Sequence, residues 1–452
     1  MSDYKTPGVY VEEKSILPGS VAGVSTAVPA FIGYTVKAGV NDDLFYKPTR
    51  ITTFKEYESL FGPGKLETIT VNANTDPITV TVTIPNRFMY YSMQMFFNNG
   101  GEACYIVALN EQTDTAHGSE RSKFESAVKA LELEDEPTMI VLVDGVNMSA
   151  EDYYSVCQMV LGQCHRLKDR FAIFDVIQAT NKTTLENAAA FRAGIGMNYL
   201  SYGAAYYPYL QTTLKYQYSD TSVKVNYASS TNIDLGADEI KVNQTELYNR
   251  IKKAIEKYSV ILPPGAAVAG SYAGVDRDRG VWKAPANISL AYVSNPNQKL
   301  TEGENDGLNV DPETGKSINA IRSFAGKGVL IWGARTLAGN DNEWRYVPVR
   351  RLFIYIEESI KKATSFAVFE PNNAMTWLKL RSMVESFLDN LWRQGALAGG
   401  KTEDAYFVQV GLGTTMTSQD ILEGRLIIKV GIAAVRPAEF IILEFTHKLQ
   451  QS

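Results

Sequence analysis

The rhythm of apolar and polar positions changes several times along the chain. Residues 28–36, Val-Pro-Ala-Phe-Ile-Gly-Tyr-Thr-Val, form a short apolar run that predicts a strand. Thr6-Pro7-Gly8-Val9-Tyr10-Val11-Glu12-Glu13 predicts another, set ahead of a loose linker at residues 14–23. A strand so placed has no sheet of its own and must pair elsewhere, chiefly through main-chain hydrogen bonds. Phe54 to Phe61 reads as a short amphipathic turn stopped by Gly62-Pro63-Gly64. Residues 68–84 alternate Thr and Val with the period of two of an exposed strand or hairpin, and residues 110–120 read as polar loop.

From about residue 120 helices and strands alternate. A helix around Phe124, Val128 and Leu131 precedes the apolar strand 139–143. Helices over 150–167 and 184–193 precede strands at 171–174 and 202–210. Short apolar strands separated by helices predict a parallel or mixed sheet covered on both faces. Residues 216–244, rich in Ser, Thr, Asn and Tyr, read as a surface insertion. A helix over 245–258 follows, with Leu247, Ile251, Ile255 and Tyr258 on one face. Residues 262–317 read as mostly loop, including an acidic stretch at 302–307. Near the end, 352–364 is helical, with Glu357–Lys361 and Glu358–Lys362 at i,i+4 spacing. Asn372 or Asn373 caps a helix with the stripe Leu380, Val384, Phe387 and Leu391, stopped at Gly395. Strands at 405–410, 425–435 and 439–445 close the chain.

Composition narrows the function classes. The 452 residues are 45% hydrophobic, enough for a large core and for roughly two to four domains. The net charge of −6 gives no basic footprint for phosphate neutralisation, so direct nucleic-acid binding is not expected. No apolar run approaches the ~18 residues of a membrane span, so direct membrane insertion is not expected. The opening Met-Ser-Asp-Tyr-Lys-Thr-Pro-Gly lacks the layout of a signal peptide. Three cysteines are too few for a disulfide framework, which fits synthesis in a reducing cytoplasm.

Candidate chemistry is sparse. Asp144 and Asp175 each follow an apolar strand, where ligands sit in open α/β sheets. They suit either a divalent metal, as in a metal-dependent α/β hydrolase, or caps on the following helix or turn. Cys157, Cys164 and His165 share one helix at no zinc spacing, and the two cysteines lie one heptad apart, as in packing. His117 and His447, the other histidines, offer no triad. Gly265-Ala-Ala-Val-Ala-Gly270-Ser271 lacks the Lys of a phosphate-binding loop, and Gly194-Ile195-Gly196 ends a helix where a dinucleotide fingerprint opens one. The stretch from 302 to 311 does not follow EF-hand spacing and reads as a solvated loop. The charged face Lys379, Arg381, Glu385, Asp389 and Arg393 is either an ordinary solvated face or a docking surface. No catalytic, cofactor or metal site is expected.

Several motifs occur together. They are Thr6 to Glu13 with Gly23 to Gly33; Ala204-x-Tyr206-x-Pro208; Arg279-Gly-Val-Trp-Lys-Ala-Pro-Ala-Asn287; and Ile318 to Arg322. Trp332-Gly-Ala-Arg-Thr-Leu337, Arg345 to Leu352, Val368-Phe-Glu-Pro-Asn372 and Arg436-Pro-Ala-Glu-Phe-Ile441 complete the set. In this order they resemble the contractile tail sheath family of phages, tailocins and extracellular contractile injection systems. The resemblance covers the first ~35 residues and nearly everything after 262, with none at 65–120 or 211–245.

The resemblance implies a multi-domain α/β fold of mixed α+β type: a sheath core built from the N-terminal arm and C-terminal region, an α/β middle domain, and variable outer insertions. The expected parts are an arm at 1–25 that packs with the C-terminal domain of neighbours, a middle domain at 26–344, and a core domain at 345–452 ending in an exchanged arm. It implies no enzyme but a subunit stacked in six-fold rings around an inner tube, with baseplate and terminal cap proteins as further partners. Val9, Tyr10, Val11 and Glu12, with Phe440, Ile441, Ile442 and Leu443, are the expected strand arms. Lys379, Arg381, Glu385 and Arg393 are the expected tube contact. Assembly is expected in the bacterial cytoplasm, as part of a phage tail or a released tail-like particle. Two other readings stay open at this point: the hydrolase, and a type VI secretion sheath. The latter is usually built from two chains, whereas here one chain carries both terminal motif sets.

Overall fold

Continuous apolar strands need cover on both faces, and the computed structural model, which describes residues 21–82, 87–110, 119–440 and 442, provides it. The chain packs as two compact units. One takes in residues 25–357 together with the described tail from residue 436; the other takes in 358–435 with residues 21–24. The division falls inside the helix Val347–Thr364.

The larger unit is built on a nine-stranded mixed sheet. Its lateral order is Ile288–Ser289, Gly328–Ile331, Asn319–Phe324, Gly203–Tyr207, Phe171–Asp175, Met139–Leu142, Pro29–Tyr34, Cys104–Leu109 and Thr49–Ile51. The six strands from Asn319–Phe324 to Cys104–Leu109 run parallel, and antiparallel strands close both sides. Pro29–Tyr34, Cys104–Leu109, Met139–Leu142, Phe171–Asp175 and Gly203–Tyr207 are buried along their whole length. Their crossover helices begin where side chains can accept the free N–H groups of a first turn. Ser149 caps Ala150–Leu167, and Thr183 with Glu186 forms a capping box for Thr184–Gly194.

Two loop expectations are corrected. Residues 265–279 form a helix, Gly265–Arg279, buried along most of its length. Small residues on every side let it lie against Met89–Asn98: a Cβ on Gly270 would run into the Phe96 carbonyl oxygen. The acidic stretch is the helix Glu302–Asn309, capped by Thr301 and Glu304. Residues 216–244, read as a surface insertion, carry regular structure of their own. Val223–Tyr227 and Ser230–Asp234 join the hairpin Ile69–Asn72 and Thr79–Val82 in a four-stranded sheet. This sheet packs its own core of Val71, Val80, Val223 and Val225 against Leu247, Ile251 and Ile255 of the helix Thr245–Ile255. Tyr258 lies past that helix and is exposed.

The smaller unit holds the end of Val347–Thr364 from Glu358 on, the helix Ala374–Arg393 and the antiparallel pair Tyr406–Val410 and Ile428–Ile432. Asn373 caps the helix, accepting from the N–H groups of Met375 and Thr376, and Leu380, Val384, Phe387 and Leu391 are buried. Gly395 follows at φ +82°, a left-handed turn that glycine adopts without strain.

Candidate assembly surfaces

The two carboxylates that invited a metal are occupied by backbone. Asp144 accepts from the N–H of Tyr34 at 2.7 Å and of Phe88 at 2.6 Å, and Asp175 from that of Gly265 at 2.7 Å. Neither caps the helix or turn that follows it; each ties distant segments together instead. Burial pushes Asp144 up to about 6 and Asp175 to about 7, and the hydrogen bonds only partly oppose this. Among the described residues, no group of three or more His, Cys, Asp or Glu side chains is placed to hold a metal ion. Nothing in this geometry favours the hydrolase reading. Cys157 and Cys164 are buried, and His165 stacks on Tyr199 with ring centroids 4.1 Å apart. Among the described residues, no helix is long and apolar enough to cross a membrane.

The expected arms fall mostly elsewhere. Val9, Tyr10, Val11, Glu12, Ile441 and Leu443 lie outside the described residues, as do His117 and His447. Phe440 and Ile442 are described; both are exposed and belong to no strand. The two-stranded sheet of the smaller unit is better defined. Tyr406–Val410 and Ile428–Ile432 pair only with each other among the described residues, which leaves an open edge on each.

On Ala374–Arg393 the charges are largely satisfied within the helix. Arg381 reaches Glu385 at 2.7 Å and Arg393 reaches Asp389 at 2.8 Å, while Lys379 stands 4.4 Å over the Phe366 ring. Exposed apolar side chains gather before and at the start of this helix: Phe366, Val368, Phe369, Met375 and Leu378. Phe369 sits at φ +70°, a conformation rare for an aromatic residue. Sequence reading singles out the charges and, of these apolar residues, only Val368 and Phe369, within the Val368–Asn372 motif. It also missed a buried ion cluster at the tail. Glu439 lies against Arg335, Asn309 and Tyr346, with an Arg335 Nη2–Glu439 Oε2 separation of 2.6 Å. A buried-type Arg beside Trp332-Gly333-Ala334 was the available signal, but nothing in sequence pairs it with a glutamate 104 positions on.

The likeness to known proteins supports the sheath reading and lends nothing to the hydrolase. Residues 339–448 match the model for the phage tail sheath C-terminal domain. Over the whole length, the chain is similar to a subunit of the PVC sheath complex, an extracellular contractile injection system solved in its contracted state. The two are 32% identical, 99% of each chain is covered, and the TM-score is 0.69. The chain belongs to the contractile tail sheath family. It is thus a structural sheath subunit, with the mixed, multi-domain α/β architecture expected of one. A second sheath relative, from the contracted helical sheath of the anti-feeding prophage, is 31% identical over 98% of this chain and 100% of its own, with a TM-score of 0.66. The tail sheath protein of Vibrio phage KVP40 is 24% identical over 136 residues, 30% of this chain. That match spans only 20% of the phage protein's length.

Proposed function

We propose that this chain polymerises with copies of itself as stacked six-fold rings around an inner tube, and that contraction of the sheath drives the tube through a target envelope. The observation that carries the reading is the end-to-end likeness to subunits of contracted sheaths. A further relative, 31% identical over 99% of this chain, comes from a six-fold symmetrised baseplate, which supports a baseplate as partner. A terminal cap completes the set of partners. Assembly takes place in the bacterial cytoplasm, and the product is a phage tail or a released tail-like particle. No catalytic role is assigned to the chain; the work of firing is stored as the difference between two packings of the same subunits.

Residues 6–13, with Val9, Tyr10, Val11 and Glu12, and residues 439–447, with Phe440, Ile441, Ile442 and Leu443, add strands to sheets of neighbouring copies. The open edges of Tyr406–Val410 and Ile428–Ile432 support this, since an unpaired edge is a ready template for main-chain pairing. In this scheme residues 1–25 are an arm, 26–344 the middle domain and 345–452 the core domain. Lys379, Arg381, Glu385 and Arg393 face the tube, where the Arg381–Glu385 and Arg393–Asp389 pairs on one helix can be exchanged for pairs with a partner.

Electron microscopy tests the reading. Full-length protein forms helical tubes or ring stacks, whereas protein lacking residues 1–20 stays a folded, unassembled subunit. Long, normal tubes from the trimmed chain would sink the arm assignment. A full-length chain that never polymerises would sink the function.

A further inference from the structure

Beyond Val435 the chain has neither helix nor strand in its described part, and Phe440 and Ile442 are 70% and 82% exposed. Glu439, between them and the smaller unit's last strand, behaves differently. Its side chain is 21% exposed and meets three partners from separate segments. Oε1 accepts from Arg335 Nε at 2.9 Å and from Asn309 Nδ2 at 2.9 Å. Oε2 accepts from Arg335 Nη2 at 2.6 Å and from the Tyr346 hydroxyl at 3.3 Å. The guanidinium thus grips the carboxylate through two N–H groups, a geometry that fixes direction as well as distance.

The receptor is also held by contacts that do not involve the glutamate. Arg335 is 4% exposed, and its Nη1 donates to the carbonyls of Gly339 at 3.3 Å and Asn309 at 3.4 Å. Its backbone is pinned by Asn319, which accepts from Arg335 N and donates to Arg335 O, both at 2.8 Å. Asn319 also donates to the Ala205 carbonyl and opens the strand Asn319–Phe324 of the large sheet. A buried arginine left without its carboxylate is costly, so the cradle is complete only with Glu439 seated. The chain flanking Glu439, from Arg436 to Phe440, is exposed or half-buried and buries no core of its own.

We propose that Glu439 is the positioning residue of the C-terminal arm: seated between Arg335, Asn309 and Tyr346, it fixes the point from which the following residues leave the body toward a neighbouring copy. This rests on the strand-exchange reading above. A pull on the arm then passes through Glu439 to Arg335 and Asn319, and so into the nine-stranded sheet.

Spin labels on the full-length chain, held below the concentration at which it polymerises, test the grip directly. Ile442→Cys and Val310→Cys offer two exposed thiols, while Cys104, Cys157 and Cys164 are buried. With Glu439 intact the two labels show one narrow distance distribution, and Glu439→Ala loses it. In label-free protein, Glu439→Ala raises the concentration needed for polymerisation about tenfold or more. A narrow distribution that survives Glu439→Ala overturns the proposal. So does a lost distribution with unchanged polymerisation, because the position then serves nothing. Should the unaltered chain fail to polymerise, the assembly reading falls, and the label distances still judge the grip.

Discussion

Asp175 holds its proton to about pH 7 in the folded chain, because burial outweighs the single N–H of Gly265 that favours the charged form. An unfolded aspartate gives up its proton near pH 4. Between those values the folded state binds more protons than the unfolded one. The contribution of Asp175 to stability is therefore complete below about pH 4 and lost as pH rises through about 7. Asp175→Asn keeps an acceptor for the Gly265 N–H and carries no charge. Relative to wild type, the Asn variant gains about 3 kcal/mol between pH 4.5 and pH 8, read from urea midpoints of the unassembled subunit. Parallel pH slopes for the two proteins would show that the carboxyl is not held neutral.

Two helical glycines set a contrast at the scale of elements. Gly270 faces the Phe96 carbonyl, a backbone atom with no freedom to move aside, so Gly270→Ala destabilises by about 1–3 kcal/mol. Gly303, on the exposed face of Glu302–Asn309, has nothing within 4 Å of a Cβ. Gly303→Ala is neutral or stabilises by about 0.5 kcal/mol, since it only restrains the unfolded chain. Thermal melts of both variants check the difference. The same helices mark what sequence reading can reach. Ala150–Leu167 and Ala374–Arg393 were legible because one face is apolar and the other wet. Gly265–Arg279 has no such stripe, as burial on every side erases the 3.6-residue period. Glu302–Asn309 carried a readable signal, Thr301 three positions before Glu304, hidden by its acidic composition. Strand pairing between Ile69–Asn72 and Val223–Tyr227 joins segments some 150 residues apart, and no local pattern encodes a partner at that range. The cradle of Glu439 was out of reach for the same reason, whereas strands at 405–410 and 425–435 were legible within their own segments and are found as Tyr406–Val410 and Ile428–Ile432.

For the whole molecule, the three thiols have a consequence of their own. Cys104, Cys157 and Cys164 are all buried, and burial pushes each toward the protonated form, with Cys164 pushed up to about 12. Oxidation and disulfide exchange require an accessible thiolate, so neither reaction has a foothold on the folded chain. A thiol reagent of the Ellman type therefore finds essentially no reactive group on the native subunit and three after denaturation. Rapid titration of even one thiol in the native protein would contradict the packing described. A sheath whose subunits keep every thiol in the core is thereby spared a chemical clock. Its subunits carry sulfur without rusting into one another, and its shelf life is set by the stability of the fold, since a thiol reacts only once the core around it opens.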